Sequence, residues 1–117
     1  MTSKINLYCE DCLPAMRKMA DNQYDLAIID PVYGIGEDGV KNHSRGKLAK
    51  PTLYKPKNWD KKPTEEYFNE LFRISNYCII WGMNNFDLPQ TEYFIVWDKH
   101  SVVKNFSRCE LAWTNVK

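Results

Sequence analysis

A chain of 117 residues is long enough to bury the core of a single domain without disulfides or metals, and its composition, with 14% aromatic residues, is that of a globular protein. It has no apolar run of membrane-spanning length and no basic-then-apolar N-terminus, which excludes membrane and secreted classes and predicts a soluble cytoplasmic protein without a membrane partner. The net charge of +1 divides into a segment of +7 between Lys41 and Lys62 and a remainder of −6.

The first part of the chain has the pattern of a strand, a helix and a second strand. Lys4–Cys9 reads as a short strand with its aliphatic residues on one side. Asp11 is a typical N-cap for the helix that follows and that ends near Ala20. The second strand, Tyr24–Ile29, comes after a turn. Strand, helix and strand at this spacing form a βαβ unit, so we expect the two strands to be parallel.

A four-residue motif, Asp30-Pro31-Val32-Tyr33, follows the second strand directly. The β-branched, non-alternating run Leu26–Ile29 is typical of a strand that is covered on both faces. Pro31 and the glycine after Tyr33 prevent the strand from continuing. We therefore expect Asp30 at the tip of a buried strand, facing the crevice in which α/β proteins bind their ligands.

Residues 34–63 show no periodicity and are rich in Gly, Pro, Asn and Lys. A stretch of this length without secondary structure is either a functional loop, here a basic substrate loop, or disordered. Its basic residues suit a polyanion such as DNA. A solvated loop whose lysines keep the protein soluble is an equally good interpretation.

The second half begins with a helix and continues with three strands. Thr64 is the predicted N-cap, and the acidic Glu65 and Glu66 favour the first helical turn. The strands are predicted at Tyr77–Trp81, Tyr93–Trp97 and Cys109–Thr114. No helix-length pattern separates the last two, which favours an antiparallel hairpin. The predicted fold class is α/β, with three parallel strands and intervening helices followed by the C-terminal hairpin.

The four cysteines are interpreted as reduced thiols that are mostly buried. Cys9 and Cys12 have the spacing of one zinc-ligand pair, but Cys78 and Cys109 stand apart in apolar runs. Two disulfides or a four-thiolate zinc site are the less favoured alternatives. No metal is therefore predicted.

The run LAIIDPVYGIG, residues 26–36, resembles the catalytic signature of the DNA amino methyltransferases, which methylate the exocyclic amine of adenine or cytosine with S-adenosylmethionine. The family signature is Asp/Asn/Ser-Pro-Pro-Tyr/Phe/Trp, and Val32 replaces its second proline here. Four further segments resemble later or earlier elements of phage-type members, in the same order: EDCL at 10–13, IIWG at 79–82, VWDK at 96–99 and FSRCELAWT at 106–114. The resemblance implies a partial Rossmann-like sheet and an enzyme of DNA methylation and restriction-modification.

The resemblance also implies roles for individual residues. Asp30 and the Pro31 carbonyl would accept hydrogen bonds from the target amine, and the ring of Tyr33 would stack on a base flipped out of the duplex. Asp11 and Cys12, together with Asp30, would contact S-adenosylmethionine. The basic residues that would approach the phosphates of double-stranded DNA are Lys41, Arg45, Lys47, Lys50, Lys55 and Lys57.

Other interpretations stand beside these roles. Asp30 and Pro31 would then only turn the strand, Tyr33 would fill the core, Asp11 would cap a helix and Cys12 would be a buried thiol. The corresponding alternative function is a non-catalytic DNA-binding or regulatory remnant of such an enzyme. A third, weaker one is an unrelated small-molecule or nucleotide enzyme on a similar half-sheet.

Family members with this motif order carry a Gly-rich cofactor loop after the catalytic half, and these 117 residues hold no counterpart of it. In the family sheet, two strands of that missing part lie between the strands predicted at Lys4–Cys9 and Tyr24–Ile29. We therefore expect a catalytic half with two central strands missing. The flanking strands then either close up beside each other or pair through their open edges with a second copy or a complementing chain.

Overall fold

The computed structural model describes residues 2–34, 61–100, 102–104 and 106–117. Within these ranges the protein is a mixed α/β structure with two α-helices, a short 3-10 turn and one four-stranded sheet. No helix in them is long and apolar enough to cross a bilayer. The elements in chain order are α1 (Cys12–Arg17), β1 (Tyr24–Ile29), α2 (Glu65–Ile74), β2 (Ser75–Trp81), the 3-10 turn (Met83–Asn85), β3 (Tyr93–Asp98) and β4 (Cys109–Thr114).

Both helices begin at the residues that the sequence predicts. The Asp11 side chain accepts a hydrogen bond from the backbone N–H of Leu13 at 3.4 Å, and the Thr64 hydroxyl accepts one from Tyr67 at 3.3 Å. Each bond satisfies a backbone donor that has no partner within the first helical turn. The predicted N-caps are thus confirmed, although α1 ends three residues before Ala20.

The sheet has the strand order β1-β2-β4-β3. β1 and β2 are parallel and are joined through α2, while β4 lies antiparallel between β2 and β3. The predicted C-terminal hairpin is therefore confirmed, and the sheet contains one parallel pair instead of three parallel strands.

The prediction of a strand at Lys4–Cys9 is wrong. These residues form no strand, and the side chains of Ile5, Leu7 and Tyr8 are 83%, 90% and 76% exposed. An alternating pattern of apolar and polar residues shows that a segment suits a pleated strand, but a strand also needs a neighbour for its backbone hydrogen bonds. No described residue supplies that neighbour here, so the expected βαβ unit around α1 is absent.

The hydrophobic core lies between the two helices and one face of the sheet. The helices contribute Met16, Phe68, Leu71 and Ile74, and the strands contribute Cys78, Ile80 and Trp113. The Trp113 ring packs on Phe72 with the ring centres 5.3 Å apart, and its Nε1 donates to the Pro89 carbonyl at 2.7 Å. We call this side, which Cys78, Ile80 and Trp113 define, the helix-covered face.

The other side of the sheet is not covered by any described element. We call it the open face and define it by Leu26, Ile28, Tyr77, Tyr93 and Trp97, all of which are exposed. The expectation that β1 is covered on both faces is therefore wrong. Although every residue of 26–29 is apolar, only alternate ones pack on the core. A run of apolar residues cannot report which of its faces meets another layer.

Arg73, in the last turn of α2, holds the two helices together. Its guanidinium donates to the carbonyls of Met16 and Met19 and also pairs with Asp21 and Glu70 at 2.6–2.8 Å. Met16 lies in the last turn of α1 and Met19 just beyond its end, where the helix dipole is negative. A cation at this point therefore closes α1 and fixes the turn into β1.

Candidate functional site

Asp30 lies immediately after β1, at its carboxyl end, as the sequence predicts. The Tyr33 hydroxyl donates a hydrogen bond to Asp30 Oδ1 at 3.2 Å, and Pro31 between them is buried. The motif thus forms a short turn that joins its acid to its aromatic residue. A carboxylate oxygen accepts more than one hydrogen bond, so Asp30 keeps acceptor capacity for a ligand.

The Tyr33 ring rests on the backbone that follows β2. Gly82 has φ +73°, and a Cβ at this position would collide with Cε1 and Cζ of the ring. The Phe86 ring meets the Tyr33 ring edge-on, with the centres 6.1 Å apart. Gly82 therefore both turns the chain at the end of β2 and makes room for Tyr33.

Tyr33 is held in its neutral form. Burial, then the charge and hydrogen bond of Asp30 and the charge of Glu110, raise the pKa of Tyr33 to about 12. The phenol therefore remains a donor to Asp30 across the neutral range. This contact fixes the direction in which the Asp30 carboxylate points.

A cleft of about 500 Å³ lies in front of the motif. Three chain segments meet there: the turn after β1, the start of α1 and the stretch that leads into α2. Its lining includes Asp30, Pro31 and Val32, then Asp11, Cys12 and Leu13, and then Lys61, Lys62, Pro63, Thr64 and Tyr67. Four of the residues that the resemblance assigns to catalysis or to the cofactor thus line one cleft, namely Asp11, Cys12, Asp30 and Pro31. Tyr33 contacts Asp30 but does not line the cleft.

The cleft combines both signs of charge with an aromatic wall. Asp11 and Asp30 supply carboxylate acceptors, and Lys61 and Lys62 supply ammonium donors. Burial, and next the neighbouring Cys12, raise the pKa of Tyr67 to about 12, so its hydroxyl is also a donor at neutral pH. Such a lining suits a ligand that has amine or hydroxyl donors, a cationic centre and an anionic group.

Sequence reasoning missed several of these residues. No motif in the sequence assigns Tyr67 or Lys62 to the cleft, and none indicates that Gly82 supports Tyr33. A glycine directly after a strand of the parallel pair is a signal that could have been used, because ligand sites lie at that end of the sheet. The predicted DNA-binding residues Lys41, Arg45, Lys47, Lys50, Lys55 and Lys57 lie outside the described residues.

The cysteines are free thiols, but the prediction that most are buried is wrong. Cys9, Cys12 and Cys109 are exposed, and only Cys78 is buried, where Ser75 Oγ lies 3.1 Å from its Sγ. Burial raises the pKa of the Cys78 thiol. Apolar neighbours in sequence do not guarantee burial at the first residue of a strand, where Cys109 stands. The described residues contain no group of three His, Cys, Asp or Glu side chains that could hold a metal ion.

Comparison with known proteins finds no matching family model, no matching curated protein and no matching solved structure.

Proposed function

We propose that this chain is the catalytic half of a DNA amino methyltransferase, which transfers a methyl group from S-adenosylmethionine to the exocyclic amine of adenine or cytosine in DNA. The observation that carries the proposal is the cleft in which Asp30 and Pro31 meet Asp11 and Cys12. These two pairs are distant in the sequence, and the resemblance assigns them to the amine and to the cofactor respectively. In this proposal the parallel pair β1–β2, with α2 between them, is half of a Rossmann-like sheet.

The donor set of the cleft fits the cofactor chemically. S-adenosylmethionine presents ribose hydroxyls and an amino group, for which Asp11 and Asp30 are suitable acceptors, and a sulfonium cation, which their negative charge stabilises. It also presents a carboxylate, for which Lys61 or Lys62 is a suitable donor. When bound, it supplies an electrophilic methyl group. The protein's own residues then have to orient the amine and accept hydrogen bonds from it.

Asp30 and the Pro31 carbonyl would perform this task. An exocyclic amine is a poor nucleophile because its lone pair is delocalised into the ring. Acceptors on both of its hydrogens favour a pyramidal nitrogen whose lone pair points away from the ring, and Asp30 also stabilises the positive charge that develops on it. Pro31 has a carbonyl but no N–H, so it presents an acceptor without a competing donor. Tyr33 orients Asp30 through the 3.2 Å hydrogen bond.

Calorimetric titration of the full chain with S-adenosylmethionine tests the proposal without requiring activity. We expect saturable heat from the wild type and a reduced affinity in Asp11→Ala. Asp25→Ala is the matched control, because Asp25 is an exposed aspartate of β1 that does not line the cleft. Absence of heat from the wild type would refute cofactor binding by this chain.

Methyl transfer into DNA tests the role of Asp30. We expect Asp30→Ala to lower the rate by about a hundredfold or more while the circular dichroism spectrum stays unchanged. Asp25→Ala should retain the wild-type rate. Full transfer by Asp30→Ala would contradict the assigned role. A chain that binds DNA with a strong salt dependence but gives no heat with the cofactor would instead be the non-catalytic remnant.

A further inference from the structure

The N-terminal segment Lys4–Cys9 leaves its apolar side chains in solvent. Ile5, Leu7 and Tyr8 are among the most exposed large hydrophobic residues of the described chain. The segment makes no hydrogen bond to any other described residue. Exposing several large apolar side chains in one extended segment is unfavourable by about 1.5–3 kcal/mol for each that could be buried. The segment therefore has the composition of a strand and no partner.

The outer edge of β1 is unpaired by any described strand and could accept an additional strand. β1 pairs with β2 on one side, and no described strand lies on its other side. Edge strands are usually protected by lysine, proline or a bulge. Tyr24–Ile29 contains no lysine or proline and a single charged residue, Asp25, and Leu26 and Ile28 at this edge are 44% and 63% exposed.

The two unpaired elements match each other in length, polarity and charge. Each has six residues, and each has one charged residue, Lys4 in the segment and Asp25 in β1. In a parallel register that places these two charges on the same face, the two-residue period puts Ile5 and Leu7 beside Leu26 and Ile28 on the open face. The opposite charges then lie near each other at the amino-terminal ends.

We propose that Lys4–Cys9 of one copy of this chain pairs with the free edge of β1 in a second copy, reciprocally, so that a symmetric dimer forms by strand exchange. A second copy is the occupant that the structure favours, because the same chain presents both the unpaired segment and the unpaired edge. The segment leaves the fold at Asp11, which lines the same cleft as Asp30 at the carboxyl end of β1. It therefore starts close to an edge of the sheet. One reciprocal contact satisfies two edges and two segments.

Light scattering over a concentration series tests the exchange on the full chain. The wild type should change from monomer to dimer with rising concentration. Leu7→Lys alters the segment and Ile28→Lys alters the edge, and both side chains are exposed, so neither change disturbs the core. Each should weaken dimerisation by about tenfold to a hundredfold, because a charged side chain replaces an apolar contact between the two strands.

Val96→Lys is the matched control. Val96 lies on β3, the strand at the other edge of the sheet, and it is 55% exposed. This variant should dimerise like the wild type. Circular dichroism verifies that all three variants are folded.

Three results would overturn the exchange. A wild type that is monomeric at every concentration would show that no second copy occupies the edge. Dimerisation that Ile28→Lys abolishes but Leu7→Lys leaves intact would indicate direct pairing of two β1 edges. Loss of the dimer in Val96→Lys alone would place the interface on β3. None of these measurements depends on binding of S-adenosylmethionine, so the outcome is independent of the proposed methyltransferase function.

Discussion

On the helix-covered face of the sheet, Cys78, Ile80 and Trp113 are buried beneath the helices, whereas on the open face Leu26 and Ile28 are in contact with solvent. The strands that carry these residues are hydrogen-bonded neighbours, so the backbone of the sheet is common to both faces. The difference arises from the layer above each face. The buried apolar residues of the helix-covered face stabilise the fold, whereas Leu26 and Ile28 on the open face are the residues that the proposed strand exchange would use.

Truncating one isoleucine on each face is expected to give the largest difference in stability between the two faces. Ile80 of β2 is fully buried, and Ile28 of β1 is 63% exposed. We expect Ile80→Ala to lower the free energy of unfolding by about 2–5 kcal/mol, because it removes buried methyl groups and leaves a cavity. Ile28→Ala should cost less than about 1 kcal/mol.

Urea titration at a concentration at which the chain is monomeric measures both values. The transition midpoints should differ while the slopes agree, since the slope reports the surface exposed on unfolding. Equal losses in the two variants would mean that the open face is covered in solution by a segment of the same chain, and the distinction between the faces would fail.

A second, smaller effect is expected at the glycine that supports Tyr33. Gly82 and Gly34 both have positive φ, 73° and 67°, so alanine costs roughly 1–2 kcal/mol of backbone strain at either position. At Gly82 the new Cβ would also collide with the Tyr33 ring, whereas at Gly34 it would approach Lys62 Cβ at 3.1 Å. Gly82→Ala should therefore destabilise the protein more than Gly34→Ala.

The same pair of variants shows whether Gly82 determines the position of Tyr33. We expect Gly82→Ala to displace Tyr33 from Asp30 and to lower the pKa of Tyr33 toward that of a free phenol, which ultraviolet titration of the tyrosinate detects. Gly34→Ala should leave this titration unchanged. An unaltered titration in Gly82→Ala would show that Tyr33 does not depend on Gly82 for its position.

Local signals in the sequence predict much of the helix-covered face. Asp11 and Thr64 are side chains that cap a helix from its first turn, and Pro31 ends β1 through its own ring. Tyr24–Ile29 and Cys109–Thr114 are found at the predicted bounds because chain breakers or turns flank them closely. These causes act over a few residues, so they can be read without knowledge of the fold.

The open face and part of the cleft depend on contacts between distant segments. Lys4–Cys9 has the pattern of a strand but no described partner, and nothing within the segment reveals this. In the sequence, Leu26 and Ala27 are equally apolar neighbours, so both are expected to be buried. Burial of Leu26 would need a second layer on the open face, which the described residues do not provide. Tyr67 lines the cleft only because α2 begins beside the start of α1. Such features follow from the packing of whole elements and are not encoded by any single motif.

A further effect is a loss of stability at high pH, and it arises at Tyr33 beside Asp30 and at Tyr67 in the cleft. Tyr33 and Tyr67 both have a pKa of about 12, with burial as the main cause, whereas tyrosine in an unfolded chain ionises near 10. Above pH 10 the unfolded state therefore releases protons that the folded state retains. The contribution of the two phenols to stability is complete below pH 10 and is lost as the pH rises to about 12.

Thermal unfolding of the wild type at pH 9, 10 and 11 measures this dependence. Tyr33→Phe and Tyr67→Phe should each flatten the decline, because phenylalanine has no proton to release, and the double variant should flatten it further. Tyr77→Phe controls for removal of an exposed phenol from the open face. If the double variant declined as steeply as the wild type, the alkaline destabilisation would have another source, and burial would not be what keeps the two hydroxyls protonated.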